Sequence, residues 1–204
     1  MSSRVPPIRD GGFPHLPPQA PQVQARWRRF FGVFLMRLTG WRIAGNIPDI
    51  PKFVIIVAPH TSNWDFLNCI LAYLALQLDT TWLGKHSIFV WPLGALARRF
   101  GGIPVDRAHG NNVVRASVAE FARRRRMSLA IAPEGTRARV KEWKLGFYYI
   151  AAEAKVPIVP VALNYQQRLV MILPPVTTTG DIAVDLPQIK ALYSRGLARY
   201  PEKF

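Results

Sequence analysis

A chain of 204 residues is the size of one domain, and with 50% of them hydrophobic it has ample material for a buried core. The formal net charge of +15 favours an anionic partner: nucleic acid, an anionic membrane or an acidic substrate. A single cysteine, Cys69, excludes an internal disulfide, and the longest apolar tract, Phe66 to Leu78, falls short of the ~20 residues a bilayer requires.

Residues 1–25 are rich in proline, glycine and glutamine, lack the apolar segment of a secretory signal, and read as a disordered arm. Residues 26–47 form a second region. There Trp27, Phe30, Phe31, Phe34 and Leu38 recur at helical spacing, with Arg26, Arg29 and Arg37 to the other side. Such an amphipathic helix suits a membrane interface; it equally suits packing on the core with its arginines in solvent. Residues 48–204 make up the main domain. Phe53 to Ala58 reads as its first strand, and a helix runs from Asp65 to about Leu78. Thr80 to Leu83 is a short strand and Gly84 to Ser87 a loop. A helix begins near Pro92, Gly101 to Arg107 holds a turn and a brief extended piece, and Asn112 to Arg126 is helical. The arginines at 123–126 complement that helix's dipole and would attract anionic headgroups. Ser128 to Ala132 is a buried strand, Lys141 to Lys155 mostly helix, and Val156 to Leu163 and Leu169 to Leu173 are strands. Ile182 to Leu186 fits a last strand, and Pro187 to about Arg199 a last helix. Strands alternating with helices predict an α/β layered domain with a mostly parallel or mixed central sheet flanked by helices, preceded by the amphipathic helix.

Chemistry concentrates at strand ends. After the strand closing at Ala58 come Pro59 and His60, and Asp65 follows five positions after His60. In open α/β sheets ligands bind at that edge. A histidine, titrating near ~6.5, can take and return a proton at neutral pH, and a carboxylate on its other ring nitrogen fixes the tautomer. The same residues also fit a capping box, with Ser62 as N-cap and Asp65 at the third helical position. A second patch, Pro133-Glu134-Gly135-Thr136-Arg137, again follows an apolar strand. Gly135 would let the backbone approach a ligand, Arg137 offers a fork for phosphate or carboxylate, and Glu134 could hold that arginine or accept from a polyol. An ordinary turn with a surface ion pair fits these residues too. Asp106-Arg107 is a weaker patch, with Arg107 as a second anion ligand. The chain has no G-x-S-x-G elbow, Walker loop or G-x-G-x-x-G, and His15, His86 and His109 show no metal-ligand spacing.

These motifs, in this order, resemble the lysophospholipid (glycerolipid) acyltransferase superfamily, which includes the 1-acylglycerol-3-phosphate acyltransferases. The resemblance rests on His60 with Asp65, on Gly101-Gly102-Ile103-Pro104-Val105-Asp106-Arg107, on Glu134 to Arg137, and on the proline-containing strand Val156 to Val161. Pro59 departs from the asparagine common before the histidine in phosphatidate-forming members. The resemblance implies an acyltransferase domain over residues 48–204. It implies acyl transfer from acyl-CoA or acyl carrier protein to a lysophospholipid hydroxyl, with His60 as general base and Asp65 as its orienter. Glu134, Gly135, Thr136 and Arg137 would lie around the acceptor headgroup and Arg107 near its phosphate. No metal or other cofactor is needed, and no specific nucleic acid is expected. The implied place is the cytoplasmic face of the inner membrane, peripheral or monotopic, on anionic lipids. The acceptor stays open between lysophosphatidate, lyso-ornithine lipid and other lysolipids or glycolipids. An inert binder of anionic lipid is the alternative from another class.

Overall fold

The sequence Lys52–Ala58 is apolar after its lysine, with β-branched residues from Val54 to Val57, and becomes the central strand, β2, of a seven-stranded sheet in this computed structural model. Residues 5–85, 89–90, 93–105 and 110–204 are described. In chain order the elements are α1 (Arg26–Leu38), β1 (Arg42–Ala44), β2, α2 (Asn63–Leu76), β3 (Thr80–Lys85), α3 (Leu93–Arg99), β4 (Gly102–Val105), α4 (Gly110–Arg123), β5 (Met127–Ile131), α5 (Gly146–Ala154), β6 (Ile158–Asn164), β7 (Leu169–Ile172) and α6 (Ile182–Lys190).

The sheet order is β1-β7-β6-β2-β5-β3-β4. β6 and β7 pair antiparallel; every other pair is parallel. The carboxyl ends of β2, β5, β6, β3 and β4 therefore share one edge. The period of two along each strand feeds two cores. Val54, Ile56, Ala58 and Leu129 face α4, α5 and α6, where Phe121, Phe147, Ile150 and Ile189 cover them. Phe53, Ile55, Val159 and Val161 face α1 and α2, covered by Met36, Leu71 and Ala75. Burial on both faces explains why β2 and β6 read as unbroken apolar runs. α1 approaches α2 closely because Gly32 has no side chain. A Cβ there would sit 2.3 Å from the Ala75 nitrogen.

Several details differ from the sequence reading. The segment from residue 5 to 25, expected to be loose, lies against the domain. Phe13 and Ala20 are buried, and the Arg29 guanidinium donates to the carbonyls of Phe13 and Ala75. Composition does not register those tertiary bonds. Arg29 thus turns inward, while Trp27, Phe30, Phe31, Phe34 and Leu38 are exposed. α4 ends at Arg123, so only that arginine lies in the last turn; Glu120 holds Arg123 and Arg124, and Arg126 reaches the Ala20 carbonyl. α5 begins at Gly146, not Lys141, after an irregular stretch. Residues 182–186, expected as a strand, start helix α6. Asp181 caps it by accepting from the Ala183 N–H, and buried Asp185 accepts from the Thr179 N–H, the Thr179 hydroxyl and the Tyr148 hydroxyl. That helix contains Pro187 and stops at Lys190; short 3-10 turns at Arg195–Leu197 and Pro201–Lys203 follow, in place of a helix reaching Arg199.

Candidate active site

Ser62 starts α2 by accepting from the Trp64 N–H at 3.0 Å, and Asp65 completes the capping box. The capping and catalytic readings of this loop are therefore not rivals, because one carboxylate serves both geometries. Asp65 has no exposed surface. Its Oδ2 accepts from the Thr61 and Ser62 N–H groups at 2.6 and 2.7 Å, and its Oδ1 accepts from the Ser62 hydroxyl at 3.1 Å. The His60 Nδ1 lies 3.6 Å from Oδ2, with 18% of the imidazole side chain exposed. That is ion-pair reach rather than a hydrogen bond.

β5 lies beside β2, with Ile131 opposite Ile56, so the loop after β5 comes alongside His60. Glu134 is 3% exposed and accepts the His60 backbone N–H on both carboxylate oxygens, at 3.1 and 2.9 Å. Burial raises its carboxyl to about 7; the His60 N–H opposes that shift and the Asp65 charge adds to it. The sequence reading offered Glu134 as a partner for Arg137 or a polyol. The structure sets its carboxylate against the main chain of the histidine loop.

His60 opens onto a cavity of about 1090 Å³. Ile55, Val57 and Val161 from the sheet and Ile70 and Tyr73 from α2 supply apolar walls. Gly135, Thr136 and Arg137 line the same cavity, joined by Lys144. Gly135 has a left-handed φ of 67°, and a Cβ on it would meet the Lys144 side chain at 3.0 Å. The glycine thus lets that lysine lie over the loop. Cys69 also lines the cavity; burial, with a smaller contribution from Asp65, pushes its thiol up to about 12, so it is not a nucleophile at neutral pH. Arg107, with Asp106, His86 and His109, lies outside the described residues. Among the described residues no group of three or more His, Cys, Asp or Glu side chains is placed to hold a metal.

Sequence reasoning missed Lys144, Asn68 and Tyr165. The Tyr165 hydroxyl reaches Asp65 Oδ1 at 2.5 Å, and Asn68 Nδ2 reaches that hydroxyl at 3.3 Å. Asn68 was legible as the residue one helical turn beyond Asp65. Tyr165 stands directly after β6, a hundred positions from Asp65, and only the sheet order brings it there.

A family model described as Acyltransferase matches residues 43–164. The 1-acyl-sn-glycerol-3-phosphate acyltransferase of Escherichia coli (strain K12) is 31% identical over 159 residues, covering 72% of this chain and 62% of that protein. The protein of the same name from Cocos nucifera is 35% identical over 157 residues, covering 71% and 49%. The chain thus spans less than two thirds of the length of these relatives. The crystal structure of the 1-acyl-sn-glycerophosphate (LPA) acyltransferase PlsC from Thermotoga maritima superposes with a TM-score of 0.63 at 19% identity, over 84% of this chain and 77% of that one, and so shares its fold. Because the matched span holds more than half of this sequence, including both the His60–Asp65 loop and the Glu134–Arg137 loop, the chain belongs to the acyltransferase family.

Proposed function

We propose that this chain transfers a fatty acyl group from an acyl thioester, on CoA or acyl carrier protein, to a lysophospholipid hydroxyl, with 1-acylglycerol-3-phosphate as the first acceptor to test. The observation that carries the reading is His60, backed by Asp65, at the mouth of a cavity with apolar walls and a cationic rim. Nδ1 lies toward Asp65, so proton exchange falls to Nε2. There the imidazole takes the proton of the acceptor hydroxyl, whose oxygen attacks the thioester carbonyl. The tetrahedral intermediate collapses, the C–S bond breaks, and the thiolate leaves with the proton from the imidazolium. General-base help of this kind is worth ~10²–10⁴-fold. The apolar walls suit an acyl chain, and Arg137 at the rim suits a phosphate. The names of the relatives support a lysophosphatidate-type acceptor.

The same reading puts the enzyme on the cytoplasmic leaflet as a peripheral protein. Phe30 and Leu38 of α1 are 66% and 72% exposed, on a chain of net charge +15. Exposed aromatic rings among arginines suit the headgroup boundary of an anionic bilayer. Among the described residues no helix is long and apolar enough to cross a membrane.

The test is thiol release from a long-chain acyl-CoA with lysophosphatidate in detergent, with lipid products read by mass spectrometry and His60→Ala alongside. Phosphatidate formed by wild type and lost at least ~10²-fold in the variant is expected. Release only with another lysolipid would replace the acceptor and keep the chemistry. No release with any thioester and any lysolipid would leave an inert lipid binder.

A further inference from the structure

We infer that Tyr165 is a positioning residue for the His60–Asp65 pair: its phenol shares the Asp65 charge and so sets how strongly that carboxylate holds the imidazole. The inference rests on the general-base reading of His60 given above.

Buried Asp65 divides its two oxygens between different partners. Oδ2 faces the loop, taking the Thr61 and Ser62 N–H groups with His60 Nδ1 at 3.6 Å. Oδ1 takes the Ser62 hydroxyl at 3.1 Å and the Tyr165 hydroxyl at 2.5 Å. The phenol makes the shortest of these contacts, in the range of charge-assisted O–H···O⁻ bonds. Asn68 Nδ2 donates to the phenol oxygen at 3.3 Å, which strengthens the phenol as a donor to Asp65. The three groups form a chain, Asn68 to Tyr165 to Asp65, ending on the carboxylate that faces the histidine.

The ring that carries this hydroxyl is clamped from several directions. Trp41 meets it edge-on at 5.0 Å between centroids. The Arg199 guanidinium lies 5.8 Å from the ring centre and 5.4 Å from that of Trp64. The Tyr165 N–H donates to the Leu197 carbonyl, and the Tyr200 N–H donates to the Thr61 hydroxyl within the histidine loop. Phenylalanine would fill this space equally well, so the hydroxyl is the informative atom. Burial and the Asp65 carboxylate push the phenol above its usual range, so it stays protonated and donating.

A carboxylate that shares its charge among several donors is a weaker partner for an imidazolium. Without the phenol, more of the Asp65 charge is available to His60 and its protonated form gains stability. Other titratable or charged groups close to this pair or lining its cavity are Glu134 beyond β5, Cys69 and Tyr73 on α2, Tyr149 on α5, Tyr193 after α6, Arg137 and Lys144 from the segment between β5 and α5, and Arg199 over the Tyr165 ring. All of them remain in Tyr165→Phe, so a comparison with wild type isolates the hydroxyl.

The experiment is an NMR titration of histidine-labelled protein, with the His60 ring assigned by its loss in His60→Ala, run beside the pH profile of kcat/KM for acyl transfer. In Tyr165→Phe the His60 pKa should rise by about half to one unit, and the acid limb of the profile should move with it. Asn68→Ala should shift His60 in the same direction by less, and it carries the test if Tyr165→Phe does not fold. A folded variant whose His60 pKa stays put or falls overturns the inference, whatever its activity. If wild type shows no turnover with any lysolipid, the acyl-transfer reading fails by itself, while the titration still reports on Tyr165.

Discussion

Replacing Glu134 by glutamine tests whether a buried carboxylate beside the His60 loop costs the fold stability at neutral pH. Its carboxyl titrates at about 7 in the folded chain against an ordinary value of 4.5, mainly through burial. Between those values the folded state holds a proton that the unfolded state has released. Stability therefore falls as pH rises through that window and levels off above the folded value. Integrated from about pH 5 to about pH 8, this one group removes about 2.5 kcal/mol. Glu134→Gln cannot titrate, and its amide oxygen can still accept the His60 N–H. Urea unfolding of both proteins at the two pH values gives the double difference, in which every other titrating group cancels. The stability of the variant relative to wild type should grow by about 2–3 kcal/mol between pH 5 and pH 8. Parallel pH dependences, agreeing within ~0.5 kcal/mol, would refute the reasoning, because this carboxyl would then titrate alike folded and unfolded.

Two further predictions concern α1. Gly32→Ala places a methyl 2.3 Å from the Ala75 nitrogen and 2.8 Å from Ala75 Cα, so α1 must move off α2. A net loss of ~1–3 kcal/mol in urea unfolding is expected despite the better helix propensity of alanine, and a stabilised variant would show that the helices do not meet there. Phe30 and Phe34 stack on each other in solvent, their centroids 6.2 Å apart. Replacing both by serine should weaken co-sedimentation with anionic vesicles at least ~10-fold while leaving thermal stability nearly unchanged. Unaltered vesicle binding would remove α1 from the membrane contact.

The sequence made the central strands, the helix after Asp65 and the order of alternating elements legible, because each carries its own periodicity or cap. The sites of error were those where a tertiary partner overrides local pattern. Ile182 to Leu186 looks β-like until Asp185 is seen holding Thr179 and Tyr148, which favours a helix capped by Asp181. The N-terminal prolines look like an arm until Arg29 is seen bonded to the Phe13 carbonyl. At the site, His60, Asp65 and the loop from Glu134 to Arg137 were legible because each cluster follows a recognisable apolar strand. Tyr165 follows one too, yet a lone tyrosine after Asn164 carries no local signal of what its hydroxyl meets.

What turns these separate loops into one site is the position of β2 between β5 and β6. Neighbouring strands lie about 4.8 Å apart, so residues just past the ends of three adjacent parallel strands are close enough to touch. With Ile56 opposite Ile131 and Ala58 opposite Ala162, Glu134 approaches the histidine loop from one side and Tyr165 from the other. One holds the main chain of His60 and the other the carboxylate of Asp65. The support of the pair from both sides is therefore a consequence of strand register. A one-residue slip of β2 would turn Val54, Ile56 and Ala58 toward α2, exchange the two cores, and separate His60 from both neighbours in the same step. The alternating burial that fixes the sheet is thus also what brings Glu134 and Tyr165 onto the His60–Asp65 loop.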